Sequence, residues 1–204
     1  MLPSITELCS REGERLPSLE RIAFVIGNGP SLTPEWLDHL VDQNVTTFAV
    51  NRIHLVYHLT EWRPTYYVRT EPPGGDDPER FFQECRLHID AGELCVFPHW
   101  EDELGQHKNV EYINTCHHYK YGADNAPSAW HLPMVCDFGT VVTAAMQVAV
   151  MKGYEAIVLA GCDLTGGHFT EDYGPSLIQT DLWKKAHEIA RRSSPVPIIN
   201  LMEY

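Results

Sequence analysis

No apolar run in this sequence approaches the roughly 20 residues needed to cross a bilayer. The N-terminal stretch "MLPSITELCSREGERLPSLER" also lacks the apolar core with a positive flank that marks a secretory leader. A soluble, cytoplasmic protein is the expectation. Basic charge is scarce as well. Fifteen Lys and Arg stand against 28 Asp and Glu, a formal charge of -13, which repels a polyanion and argues against general nucleic-acid binding. The six cysteines, Cys9, Cys85, Cys95, Cys116, Cys136 and Cys162, form no C-x-x-C pair and are read mostly as reduced core residues. His117, His118 and His131 do not combine with a cysteine at finger spacing, so no metal site is expected there. Internal repeats and low-complexity tracts are missing too.

What is present is a chain of 204 residues, 44% hydrophobic, enough for one sizeable core, and we read it as a single domain over 1–204. Short β-branched or aromatic runs alternate with helical patterns, which predicts an α/β, Rossmann-like domain with a mostly parallel twisted sheet and helices on both faces. The predicted strands are 21–26, 46–50, 65–70, 94–97, 156–160 and 196–200. Helices are predicted over 33–43, 78–90, 140–153 and 181–192. Thr33 is the expected cap of the first, with Pro34 at its opening position. The segment 114–139, rich in His, Tyr and Trp, is read as a long irregular loop or lid, and 71–77 as a turn.

In an open parallel sheet ligands bind beyond the carboxyl ends of the strands. The first strand runs into Gly27-Asn28-Gly29-Pro30-Ser31, the second into Asn51-Arg52, the third into Glu71, and the 156–160 strand into Gly161-Cys162-Asp163. A glycine pair before a helix leaves room for phosphate or ribose against bare backbone. Taken alone, the stretch matches neither the dinucleotide fingerprint nor a phosphate loop ending in Gly-Lys-Ser/Thr, and reads more readily as a structural turn. Asp163 is a candidate for a metal, a ribose hydroxyl or an acceptor, and equally for locking a loop. Arg52 and Arg69 are candidates for phosphate oxygens or for the solvated surface. The "GGHFTEDYG" segment sets His168, Glu171, Asp172 and Tyr173 close together, and His is the side chain suited to proton exchange near neutral pH.

The order of "VIGNGPSL", "FAVNRI", "WRPTYYV", "DFGTVVTAAMQVAVMKGYEAIVLAGCDL" and "GHFTEDYG" resembles a superfamily that spans nearly the whole chain. It holds sialyltransferase-like glycosyltransferases, motility-associated glycosyltransferases and archaeal-type 6-hydroxymethylpterin diphosphokinases. The resemblance implies nucleotide contacts at Gly27, Asn28, Gly29, Pro30, Ser31, Asn51, Arg52, Gly161 and Asp163. It implies catalytic roles for His168 and Asp163, with Asp172 and Tyr173 alongside. Glu71 and the lid tyrosines Tyr119 and Tyr121 are expected near the substrate. Glu71 departs from the aspartate of many relatives, and the chain stops soon after "PIIN".

Two activities follow from the resemblance. One is transfer of a sugar from a nucleotide donor, a CMP-sugar being one option, to an acceptor hydroxyl without an obligatory cofactor. The other is magnesium-dependent transfer of a diphosphate to a pterin, with Asp163, Glu71 and Asp172 as ligands. A non-catalytic nucleotide-binding subunit, alone or as a homo-oligomer, is the third expectation.

Overall fold

The structure, a computed structural model, describes residues 16–71, 77–117, 130, 134–137, 140–174 and 180–203. Seven strands form one sheet: β1 (Ile22–Ile26), β2 (Thr46–Val50), β3 (Tyr66–Val68), β4 (Leu94–Phe97), β5 (Val110–Tyr112), β8 (Ala156–Ala160) and β9 (Ile198–Asn200). Their order is β5-β4-β3-β2-β1-β8-β9, and every pairing is parallel. Five helices connect them: α1 (Pro34–Asp42), α2 (Pro78–Asp90), α3 (Glu101–Leu104), α4 (Val141–Met151) and α5 (Thr180–Ser193). The expected Rossmann-like α/β architecture is therefore the one observed.

Strands buried on both faces divide their side chains by the period of two. Along β1, Ile22, Phe24 and Ile26 join one core with Leu37, Tyr67 and Phe82, while Ala23 and Val25 join a second with Val142, Met146 and Ala190. So α1 and α2 cover one face, and α4 and α5 the other. The helices start where capping chemistry dictates. Thr33 Oγ1 accepts from Trp36 N at 3.3 Å, Asp77 caps α2 by accepting from Arg80 N at 2.9 Å, and Thr140 caps α4. Helix α4 is apolar on nearly all sides because it is buried nearly all round, from Val141 to Ala149, and its polar Thr143 and Gln147 are hydrogen-bonded.

Several expectations need correction. The 114–139 segment is not wholly irregular: β6 (Asn114–His117) and β7 (Met134–Asp137) pair in parallel as a separate two-stranded sheet. Strand β5 and helix α3 were not foreseen, because three or four residues are too few to carry a period. Tyr119, Tyr121, His118 and His131, expected in a lid, lie outside the described residues. Cys85, Cys95 and Cys162 are free and buried, as expected, whereas Cys136 is disulfide-bonded. Among the described residues no helix is long and apolar enough to cross a membrane.

Candidate functional site

The chain lays β2 to β5 on one side of β1 and then returns to place β8 and β9 on the other. Strands β1 and β8 therefore flank the topological switch point, the place where ligands bind in open α/β sheets generally. The turns that follow these two strands hold Gly27 to Ser31 and Gly161 to Asp163.

These turns pack backbone against backbone. Gly27 N donates to the Ala160 carbonyl at 2.8 Å and Gly29 N to the Gly161 carbonyl at 2.7 Å. A Cβ on Gly27 would stand 2.4 Å from the Gly161 oxygen, and one on Gly29 would stand 1.9 Å from Asp163 Oδ2. Gly161 itself sits at φ +63. The glycines are thus required by the close approach of two turns, and the space beside Gly27 and Gly29 is filled by protein. Asp163 completes the lock, since its carboxylate accepts from Ser31 Oγ at 2.9 Å and from Ser31 N at 3.2 and 3.3 Å. Of the roles open to Asp163 in the sequence, the loop-locking one is occupied. Pro30 is exposed at the tip of the turn.

Asn28 links this corner to the next strand. Its Nδ2 donates to the Val50 carbonyl at 3.0 Å, and its own carbonyl accepts from Phe169 N at 3.0 Å. Oδ1 of the same amide is buried without a partner, and so is the hydroxyl of Thr70, beyond β3. Unpaired buried polar groups are costly, and five more stand elsewhere in the described residues, Trp36 Nε1, His54 Nδ1, His88 Nε2, Trp183 Nε1 and His187 Nε2.

Beyond β2, Asn51 adopts φ 54, a left-handed conformation that asparagine tolerates better than most residues. With its amide nitrogen toward Glu71, it donates to both carboxylate oxygens at 2.9 and 3.1 Å, and the Tyr67 hydroxyl donates to its carbonyl at 2.8 Å. Glu71 also accepts from Arg69 Nε at 3.0 Å. Glu84 on α2 accepts from both arginines, from Arg52 Nε and from Arg69 Nη1, each at 3.0 Å. Burial works against its negative charge, but the bonded Arg69 and the nearby Arg52 hold the Glu84 carboxyl below its usual range. The two arginines expected to face phosphate thus have carboxylate partners. Glu84 is the residue that sequence reasoning missed; nothing local distinguishes it, and the signal was two arginines at adjacent strand ends needing an anion.

The 164–174 segment covers this row. Leu164 (φ 56), Gly166 and Gly167 turn the chain through left-handed conformations that bring His168 back over the strand ends. The His168 ring stacks on Tyr173, centroids 3.7 Å apart and planes 23° apart. Burial lowers the pKa of His168, with the Arg52 charge adding to the effect and a bond with the Asn28 main chain opposing it. Burial likewise raises the Tyr173 hydroxyl, with the Glu71 charge contributing. Asp172 is exposed. Among the described residues no three His, Cys, Asp or Glu are grouped so as to hold a metal ion. Asp163 and Glu71, two of the ligands expected for magnesium, are engaged by Ser31 and Arg69.

Fold and site together define a doubly wound domain with polar and charged side chains at the strand ends beside its switch point. No family model matches the chain, and no curated protein matches it.

Proposed function

We propose that this chain is a glycosyltransferase that takes a sugar from a nucleotide donor, bound over the β1 and β8 ends, to an acceptor hydroxyl. The observation that carries the reading is a half-buried imidazole, His168, whose pKa is lowered, at the switch-point edge that also holds the unpartnered Oδ1 of Asn28. The resemblance of the ordered motifs to sialyltransferase-like and motility-associated glycosyltransferases supports the same assignment. In the reaction the acceptor oxygen bonds to the anomeric carbon and its proton passes to a nitrogen of His168. The bond from that carbon to the phosphate oxygen breaks, and the electron pair leaves with the nucleotide. A neutral imidazole is the form able to accept the proton, which a lowered pKa favours near pH 7. The positive end of α1, which follows β1 at this edge, favours the leaving phosphate. Asn28 Oδ1 and Thr70 Oγ1 are acceptors free to receive donor groups of the nucleotide.

Thermal shift against CMP, CDP, UDP, GDP and ATP, each with and without magnesium, tests the assignment, since a ligand at 100 times its Kd adds about 2.7 kcal/mol. Metal-free stabilisation by CMP or by one of the diphosphates CDP, UDP and GDP is expected. Stabilisation by ATP alone, and only with magnesium, overturns the reading in favour of diphosphate transfer; no shift with any nucleotide favours a non-catalytic scaffold. His168→Ala is expected to lower turnover by about 10² to 10⁴. Full turnover in that variant would remove His168 as the base.

A further inference from the structure

We propose that Arg52 is a positioning residue, which fixes the His168 ring by tying the turn around Tyr173 to helix α2. This inference rests on His168 as the base for its catalytic meaning, although the coupling itself is a property of the protein without ligand.

The geometry points one way. One edge of the Arg52 guanidinium is fixed, Nε donating to Glu84 Oε1 of α2 at 3.0 Å. Its Nη1 donates to two main-chain carbonyls, those of Asp172 at 3.2 Å and Tyr173 at 2.8 Å. The guanidinium carbon lies 5.6 Å from the Tyr173 ring centroid, and that ring is the one stacked on His168. Arg52 therefore reaches His168 through Tyr173, as a brace rather than a contact. His168 lies between two anchors. On one side Phe169 N is bonded to the Asn28 carbonyl; on the other the turn hangs from Arg52. Among the described residues, the turn's internal ties are Asp172 N to Thr170 Oγ1 and Tyr173 N to the Thr170 carbonyl, each at 3.3 Å, and Gly174 N to the Glu171 carbonyl at 3.1 Å. A short turn with bonds that long depends on its outside anchors: the Arg52 guanidinium at its carbonyls, and the Asn51 side chain and Arg52 main chain at the Tyr173 hydroxyl.

Only arginine suits this place. The planar fork presents Nε and Nη1 in fixed directions, so one side chain bonds a carboxylate and a pair of carbonyls at once; a lysine is a single point charge and must choose. The groups around His168 are Arg52 from the β2 end, the Asn28 main chain from the β1 end and Tyr173 from its own segment. Arg52 is the charged one of the three. Its removal acts in two ways with the same sign: a cation is lost and the ring becomes more solvated, and both raise the affinity of His168 for a proton. For a base held in place, a displacement of about 1 Å costs roughly 10² in rate.

The test uses the full chain without substrate. The His168 imidazole is titrated by NMR, and amide exchange of residues 169–174 is followed, in wild type, Arg52→Gln, Arg52→Lys and Tyr173→Leu. Arg52→Gln is expected to move the His168 titration to higher pH and to speed exchange at Tyr173 and Gly174 by about tenfold or more. Arg52→Lys keeps the charge, so its exchange should quicken as much while the titration moves less. Tyr173→Leu, which retains the carbonyls, should move the titration with little change in exchange. Unchanged exchange in both Arg52 variants overturns the proposal, and an unchanged titration in Tyr173→Leu overturns the route through the ring. Should Arg52→Gln fail to fold, Arg52→Lys decides the matter. Failure of the glycosyltransferase reading appears instead in the nucleotide panel, which involves none of these variants. Where a donor is found there, Arg52→Lys should lower kcat with the donor KM unchanged.

Discussion

Two histidines stacked on tyrosines have opposite surroundings. His88, 0% exposed, lies flat on Tyr67 at 3.5 Å, and its Nδ1 meets Glu93 Oε2 at 2.6 Å. Glu93 also accepts from the Tyr57 hydroxyl at 3.0 Å, which makes a polar cluster inside the α1 and α2 face of the core, with His88 Nε2 buried and unpartnered. His168 lies on Tyr173 at 3.7 Å, half-buried, beside a cation and with no carboxylate bonded to it among the described residues. The ring pairing is alike; access and partners differ. A buried imidazole bonded to a carboxylate contributes to structure, because its proton has nowhere to go and its loss strands a charge. An accessible imidazole without such a partner has a free nitrogen for chemistry.

The contrast is broken first where the effect is largest. Glu93→Leu leaves His88 and Tyr57 buried without their shared acceptor and should cost about 3 to 5 kcal/mol, read as a drop in the urea midpoint at constant slope. A loss under 1 kcal/mol would place the two histidines in the same class. Next comes Gly29→Ala, whose Cβ would stand 1.9 Å from Asp163 Oδ2. Forcing the turns apart should cost about 1 to 3 kcal/mol and abolish any nucleotide-induced thermal shift.

A third measurement uses pH. Burial lowers His187, on α5, from its usual 6.5 to about 4, with Arg191 adding to the effect. The unfolded chain then binds the proton more tightly than the native one, so this contribution is complete above pH 6.5 and is lost as pH falls from 6.5 towards 4. Urea midpoints taken across that window should decline, and His187→Phe should flatten the decline. The smallest effect is expected at the other histidine: His168→Ala should change stability by no more than about 0.5 kcal/mol while turnover falls. A loss comparable with Glu93→Leu would make His168 structural.

Much of the fold was legible along the chain. The predicted 46–50, 94–97 and 156–160 strands and the 78–90 helix match β2, β4, β8 and α2 in both bounds. Short apolar runs buried on both faces, and proline or threonine at helix starts, are local signals that survive tertiary packing. Strands β5, β6 and β7 were not legible, because three or four residues carry no period and their pairing partners lie elsewhere in the chain. At the site, Gly27, Gly29, Asn28, Asp163 and His168 could be singled out by type and position after a strand. Their partners could not. Ser31 and Asp163 are 132 residues apart, and Arg52 and Tyr173 are 121 apart.

By itself, then, the sequence determined the alternation of strands and helices, the burial of the sheet on both faces and the small or polar residues at one edge, because each depends on composition and spacing within a few turns of chain. The tertiary structure alone decided which edge residues are spent and which are free. Gly27 and Gly29 make way for the Gly161 turn, Asp163 holds Ser31, and Arg52 bonds the carbonyls of the turn that carries Tyr173, while Asn28 Oδ1 is left without a partner and His168 without a carboxylate among the described residues. The reason is physical: a polar group has a fixed number of bonds to make, and how many remain is set by neighbours that only folding brings near.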